Sequence, residues 1–249
     1  TAIIAGLVKT GQCQISVVEP DADKREQLAQ RFRVTALAQL PVYFGGGQVV
    51  VLAVKPQQLR EVCDSLAGRL DGALVLSIAA GVGVPALSRW LDGHDRIVRV
   101  MPNTPAMIGK GVSGLFARPV VDAQDRASAE QIMSAAGSTV WLSEESGIDD
   151  VTAISGSGPA YVFLFIEALQ QAAMELGFTP KQARQLSIET TLGAARLAAQ
   201  SEEPASVLRE RVTSKGGTTE AALRAMAEHR VKEGIVAGAM AANARGGEL

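Results

Sequence analysis

The chain is poor in the side chains that build many reaction centres. It holds 2 histidines and 2 cysteines in 249 residues. His94 and His229 lie far apart with no paired ligands beside them, so each reads as a surface residue. Cys13 and Cys63 lack CxxC spacing and a neighbouring histidine, which argues against a zinc site or a disulfide framework and fits a reducing cytoplasm. GxSxG and HExxH are absent, so neither an α/β-hydrolase nucleophile nor a zinc-protease helix is expected, and no metal site is expected elsewhere. The acidic pairs Glu144-Glu145, Asp149-Asp150 and Glu202-Glu203 sit in polar contexts and read as solvated or capping residues. No charge sign dominates: 24 basic against 26 acidic residues leave a net charge of −2, a poor match to nucleic acid or an anionic membrane. Aromatics are 4 %, so the core must be aliphatic. The longest uncharged runs, Val151 to Ile166 and Gly72 to Ser88, are broken by glycine and proline, and neither is the ~20-residue apolar span that crosses a bilayer.

What is present falls into two regimes that change near Leu142 to Asp150, giving expected domains at 1–145 and 146–249. In the first, Ile15 to Glu19, Val49 to Val54, Ala73 to Ile78 and Arg96 to Met101 are β-branched runs separated by helical patterns. Strands that are apolar throughout and alternate with helices predict a parallel sheet covered on both faces. The opening Thr-Ala-Ile-Ile-Ala-Gly-Leu has no basic n-region and reads as the middle of a helix. The glycine-rich connection Tyr43 to Gln48 is short enough to suggest residues omitted there.

After Asp150 the strand pattern stops. Helices are predicted over 159–176, 180–200, 205–212, 218–228 and 231–244, with Thr179 as an N-cap and Pro180 at the first helical position. Tyr161 to Ile166 is apolar on every side of its helix and so is expected to be buried all round, most economically by a second subunit.

An open parallel sheet binds ligands beyond the carboxyl ends of its strands. Those ends carry Glu19, the run Ala53-Val54-Lys55-Pro56, Ala80 within Ala79-Ala80-Gly81, and Asn103-Thr104 within Pro102 to Pro105. Small residues and prolines let a flat ligand lie against backbone, while Lys55, Asn103 and Thr104 offer polar groups to a phosphate, ribose or amide. The glycine-rich phosphate loop expected between a first strand and its helix is absent, and if the strand at Ile15 is the second of a dinucleotide fold, the first strand and its glycine turn belong just before Thr1. Glu19 then takes the place of the acidic residue that bonds the adenine ribose, favouring NAD, while Lys24 and Arg25 suit a 2′-phosphate; the nucleotide stays open between the two.

In the helical half, Val212 to Ala222 places adjacent glycines before Thr-Thr-Glu at a helix start, an arrangement that exposes consecutive backbone N–H groups to an anion. Ile154 to Tyr161, with its Ser-Gly-Ser-Gly, precedes a fully apolar helix and is expected to pack in a cleft between the domains rather than serve as a linker.

Together Ala-Val-Lys-Pro (53–56), Met-Pro-Asn-Thr-Pro (101–105), Ile-Ser-Gly-Ser-Gly-Pro-Ala-Tyr (154–161) and Val-Thr-Ser-Lys-Gly-Gly-Thr-Thr-Glu-Ala (212–221) closely resemble the pyrroline-5-carboxylate reductases, from Thr1 to the C-terminus and in order. The resemblance implies a Rossmann-type parallel-sheet domain for NADP(H), alternatively NAD(H), followed by an all-α dimerisation domain. It implies hydride transfer to the C=N bond of Δ1-pyrroline-5-carboxylate to give L-proline, in a cytoplasmic homodimer or an oligomer of dimers. By the same likeness Ser214 and the backbone of Gly216, Gly217 and Thr218 hold the carboxylate, Thr219 bonds the ring nitrogen as the catalytic residue, and Glu202 lies near the substrate. Ala53 to Pro56, Ala80, Asn103 and Thr104 line the nicotinamide side. Lys215 departs from the proline common in the family. Two other readings, a hydroxy-acid dehydrogenase and a nucleotide-sensing dimer without catalysis, differ in that the first needs a proton-transfer lysine, for which the helical half offers no obvious residue except Lys181 and Lys215.

Overall fold

Runs of Val, Leu and Ile that lack a polar face can be satisfied only between two layers, and the sheet is built accordingly. In the computed structural model, which describes residues 1–11 and 13–248, β3 (Val49–Leu52), β4 (Leu74–Ser77) and β5 (Ile97–Met101) lie side by side and parallel. On one face Val75 and Ile97 meet Leu59, Cys63 and Leu66 of α3 (Pro56–Leu66) and Val84 and Leu87 of α4 (Val84–Trp90). On the other, Leu74, Leu76, Val98 and Val100 meet Ala129 and Met133 of α5 (Ala123–Ser134). Each fully buried leucine in these layers contributes about 1.5–3 kcal/mol.

Three strands lie where the sequence pattern predicts none: β2 (Thr35–Leu37), β6 (Gly111–Ala117) and β7 (Gly137–Trp141). In β6 the apolar run is interrupted by Ser113 and Gly114, and β7 at the sheet edge alternates between half-buried and exposed residues, so neither carries a two-faced apolar signal. β6 pairs antiparallel with β5; the other named pairings are parallel. A separate two-stranded sheet joins β1 (Ser16–Val18) to β2, with α2 (Ala22–Phe32) between them in the chain. The N-terminal helix is α1 (Ala2–Thr10). The Tyr43 to Gln48 connection is held by Phe44 N–H donating to the Arg69 carbonyl at 2.8 Å and Gly45 N–H to Gln48 Oε1 at 2.8 Å.

The fold divides into two compact units, one of Thr1–Gly156 with the chain end from Ala242, the other Ser157–Ala241. The first unit includes α6 (Gly147–Val151) and a π-helical turn, Thr152–Gly156. The second holds α7 (Gly158–Glu175), α8 (Pro180–Ala199), α9 (Ala205–Arg211), α10 (Thr218–Glu228) and most of α11 (Val231–Gly246). α8 starts with the cap that its sequence predicts: Thr179 and Gln182 form a reciprocal capping box with Pro180 in the first turn.

α7 is not buried all round by its own chain. None of its residues is buried, and Phe163 and Leu164 are 64 % and 67 % exposed. The stretch Gly147–Glu175 is, by length and composition only, apolar enough to span a bilayer. The uncharged runs taken singly are not, because the glycine-serine segment reads as a break in the sequence but is a π turn in the fold.

Candidate functional site

The sheet edge comes first. Glu19 follows β1, its N–H bonded to the Leu37 carbonyl at 2.9 Å and its Oε1 accepting from Asp21 N–H at 3.1 Å. Asp21 caps α2 through the N–H groups of Asp23 and Lys24, and the Lys24 N–H first among these bonds holds its carboxyl below the usual range. Glu19, Lys24, Gln27 and Arg31 line a cavity of about 220 Å³. Arg25, expected beside them, instead turns its guanidinium onto the Glu19 and Pro20 carbonyls at 2.8 and 3.0 Å. Arg31, about two turns after Lys24 along α2, takes its place at the cavity; helical spacing from Lys24 is the signal that could have found it.

After β3, Ala53, Lys55 and Pro56 are exposed and Val54 half-buried; Lys55 is the extended residue before α3, with Pro56 opening the helix. After β4, Ala79 is buried and Ala80 exposed. After β5, Asn103 uses both ends of its amide on backbone. Its Nδ2 donates to the Ser155 carbonyl at 3.0 Å and its Oδ1 accepts from Val112 N–H at 2.9 Å. Asn103 therefore ties the strand end to β6 and to the π turn, while Thr104 next to it is exposed.

In the helical unit, Gly216 adopts φ +74°, a left-handed conformation that glycine takes without strain, and Gly217 is the N-cap of α10. The bend brings Ser214, Gly216, Gly217, Thr218 and Thr219 together. Gly217 N–H donates to the Ser214 carbonyl at 3.0 Å, and Gly216 N–H to Glu220 Oε2 at 2.7 Å, a contact that the sequence motif does not reveal. The Thr218 N–H, in the first turn of α10, belongs to the amides that a helix leaves without an internal partner. Glu202 stands exposed in the turn between α8 and α9, whereas its neighbour Glu203 pairs with Arg211.

Other residues differ from their sequence reading. Glu145 and Asp149 are not simply solvated: both reach the buried Arg99 of β5, at 3.4 and 3.5 Å. Asp150 accepts from Asn243 Nδ2 at 2.7 Å. His94 is half-buried, and that burial lowers its pKa from the usual 6.5. Cys63 is buried, its thiol pushed up to about 11 by desolvation, while Cys13 is exposed and both are free. Among the described residues no cluster of three metal-ligating side chains occurs.

A family profile described as pyrroline-5-carboxylate reductase dimerisation matches residues 145–249, and one described as NADP oxidoreductase coenzyme F420-dependent matches residues 1–81. The pyrroline-5-carboxylate reductase of Pseudomonas aeruginosa is 40 % identical over all of this chain and 92 % of its own length. The chain belongs to the pyrroline-5-carboxylate reductase family. The solved reductase of Coxiella burnetii is 40 % identical with a TM-score of 0.91, covering 99 % of this chain and 93 % of that one. A pyrroline carboxylate reductase from Plasmodium falciparum, solved with NADP bound, shares the fold at 24 % identity and a TM-score of 0.78, over 98 % and 94 % of the two chains. The activity is accordingly NAD(P)H-dependent reduction of Δ1-pyrroline-5-carboxylate to L-proline, the last step of proline biosynthesis, on a Rossmann-type sheet domain followed by an all-α dimerisation domain.

Proposed function

We propose that the double-glycine bend before α10 holds the carboxylate of Δ1-pyrroline-5-carboxylate, with Ser214 and the N–H groups of Gly216, Gly217 and Thr218 as donors. The observation that carries this is the left-handed Gly216 next to Gly217, the N-cap of an 11-residue helix, which sets the bend beside amides that the helix leaves without an internal partner. The Gly216 N–H must leave Glu220, and the Gly217 N–H the Ser214 carbonyl, to take part. The Thr219 hydroxyl bonds the ring nitrogen, and Glu202 lies near the substrate.

At the sheet edge, Glu19 receives the hydroxyls of an adenine ribose, and Lys24 with Arg31 suits a 2′-phosphate. The polar lining of that cavity fits either nucleotide; NADP(H) is the preferred reading and NAD(H) the alternative. Ala53, Val54, Lys55, Pro56, Ala80 and Thr104 line the nicotinamide side, and Asn103 shapes it by holding the end of β5. The bound nicotinamide supplies the hydride. A protonated imine is already an electrophile, so the protein's work is to orient it and keep water away. This accounts for a site with no histidine and no carboxylate dyad.

The exposed apolar side of α7 is covered by a second copy of the chain, giving a cytoplasmic homodimer able to assemble further. Thr219→Ala tests the substrate half. Steady-state turnover is expected to fall about tenfold, the scale of one lost hydrogen bond in the transition state, with NADPH affinity unchanged. Unchanged turnover removes Thr219 from the mechanism.

A further inference from the structure

We propose that Arg99, Glu145 and Asp149 form a positioning frame for the nicotinamide side of the sheet; the proposal rests on the reading that the backbone after β4 and β5 faces the nicotinamide. Arg99 is buried in the middle of β5, opposite Ser77 of β4, on the same side of the strand as Ile97. A guanidinium there costs more to desolvate than an aliphatic side chain, so it is tolerated only while paired. Its two partners come from different segments: Nη1 faces Glu145 Oε1 at 3.4 Å, from the loop after β7, and Nη2 faces Asp149 Oδ1 at 3.5 Å, in α6. Among the described residues its Nε is buried without a hydrogen-bond partner, so the two carboxylates are what hold the group.

Each partner leads to one of the strand ends. Glu145 Oε1 also accepts the Val84 N–H at 2.6 Å, the first amide after the Ala79 to Gly83 turn. Gly83 makes room for it, since a Cβ there would stand 3.1 Å from that oxygen. The second path runs from Asp149 along α6 into the π turn, where the Ser155 carbonyl accepts from Asn103 Nδ2 at the end of β5. One buried cation therefore fixes the height of two loops that the reaction needs in register.

The test uses the full chain with NADPH and pyrroline-5-carboxylate. Glu145→Ala is expected to raise the NADPH KM and lower kcat, each about tenfold, with the pyrroline-5-carboxylate KM unchanged at saturating NADPH. Glu145→Gln keeps an acceptor for Val84 and weakens only the pairing with Arg99, and is expected to recover most of both losses. Should Glu145→Ala fail to fold, Glu145→Gln alone must still raise the NADPH KM about threefold. A lowered unfolding midpoint with wild-type KM and kcat per folded molecule would make the frame structural only and overturn the proposal. Ala80→Leu separates the two layers of the argument. If it leaves the NADPH KM unchanged, the nicotinamide-edge reading fails and the frame falls with it. If it raises that KM while the Glu145 variants do not, the positioning role alone fails.

Discussion

In the sheet unit Leu59, Leu66, Leu76 and Leu87 are wholly enclosed, whereas among the described residues of Ser157–Ala241 only Ala183 and Ser187 are buried. The helical unit is no less apolar in sequence. Its Phe163, Leu164, Leu176 and Val212 simply face outward. The difference teaches where each unit's cohesion resides. A sheet with helices on both faces closes its core within one chain, but the other four helices of its unit do not enclose the apolar α7 and leave a surface that another molecule can cover. Residues 145–249 match a dimerisation family, which supports the proposal that a second copy supplies the cover. Stability of the helical unit then depends on protomer concentration, and that of the sheet unit does not.

The largest expected effect breaks the contrast from the helical side. Leu164→Asp puts an unpaired charge on the exposed apolar face, and a charge desolvated without a partner costs several kcal/mol. Sedimentation is expected to show monomers, with reductase activity down about a hundredfold. A dimeric, active Leu164→Asp protein would mean that α7 is covered by something other than a second copy. Leu76→Ala probes the opposite regime. It is expected to cost about 2–5 kcal/mol in denaturant unfolding, through lost burial and the cavity left behind, with subunit association unaltered. If it instead shifts the association equilibrium, the two units are not independent in the way their burial implies.

The smallest effect sharpens the account of the sheet unit. Burial holds the His94 imidazole below its ordinary pKa of 6.5. The unfolded chain therefore binds the proton more readily than the folded one. The stability contributed by neutral His94 is present above that value and is lost as pH falls below it. Urea midpoints compared between about pH 7.5 and about pH 5 should show a smaller decline in His94→Gln than in the parent chain. An equal decline would assign the acid sensitivity to other groups.

Much of the sheet could be read from the chain because β4 and β5 are buried on both faces and β3 is at least half-buried throughout, which leaves an apolar signal in each. β6 and β7 could not, since Ser113, Gly114 and an exposed edge dilute it. In the site, the residues of the double-glycine bend are contiguous and so visible as a motif. The Asn103 bonds to Val112 and Ser155 join residues 9 and 52 positions apart, and nothing local announces them. Glu145 reads as a capping residue and is one, but it caps α4, 61 positions away. Arg99 stands out as a charge in an apolar strand, a signal whose meaning depends on carboxylates from two other segments.

By itself the sequence determined the alternation of strand and helix, the capped starts of α2 and α8, and the glycine bend before α10, because each follows from propensities and hydrogen bonds among residues a few positions apart. The tertiary structure alone decided which carboxylates a buried arginine meets, which way β6 runs, and that α7 stays uncovered within its own unit. Those outcomes depend on contacts between segments distant in the chain, whose energies exist only once the segments have come together.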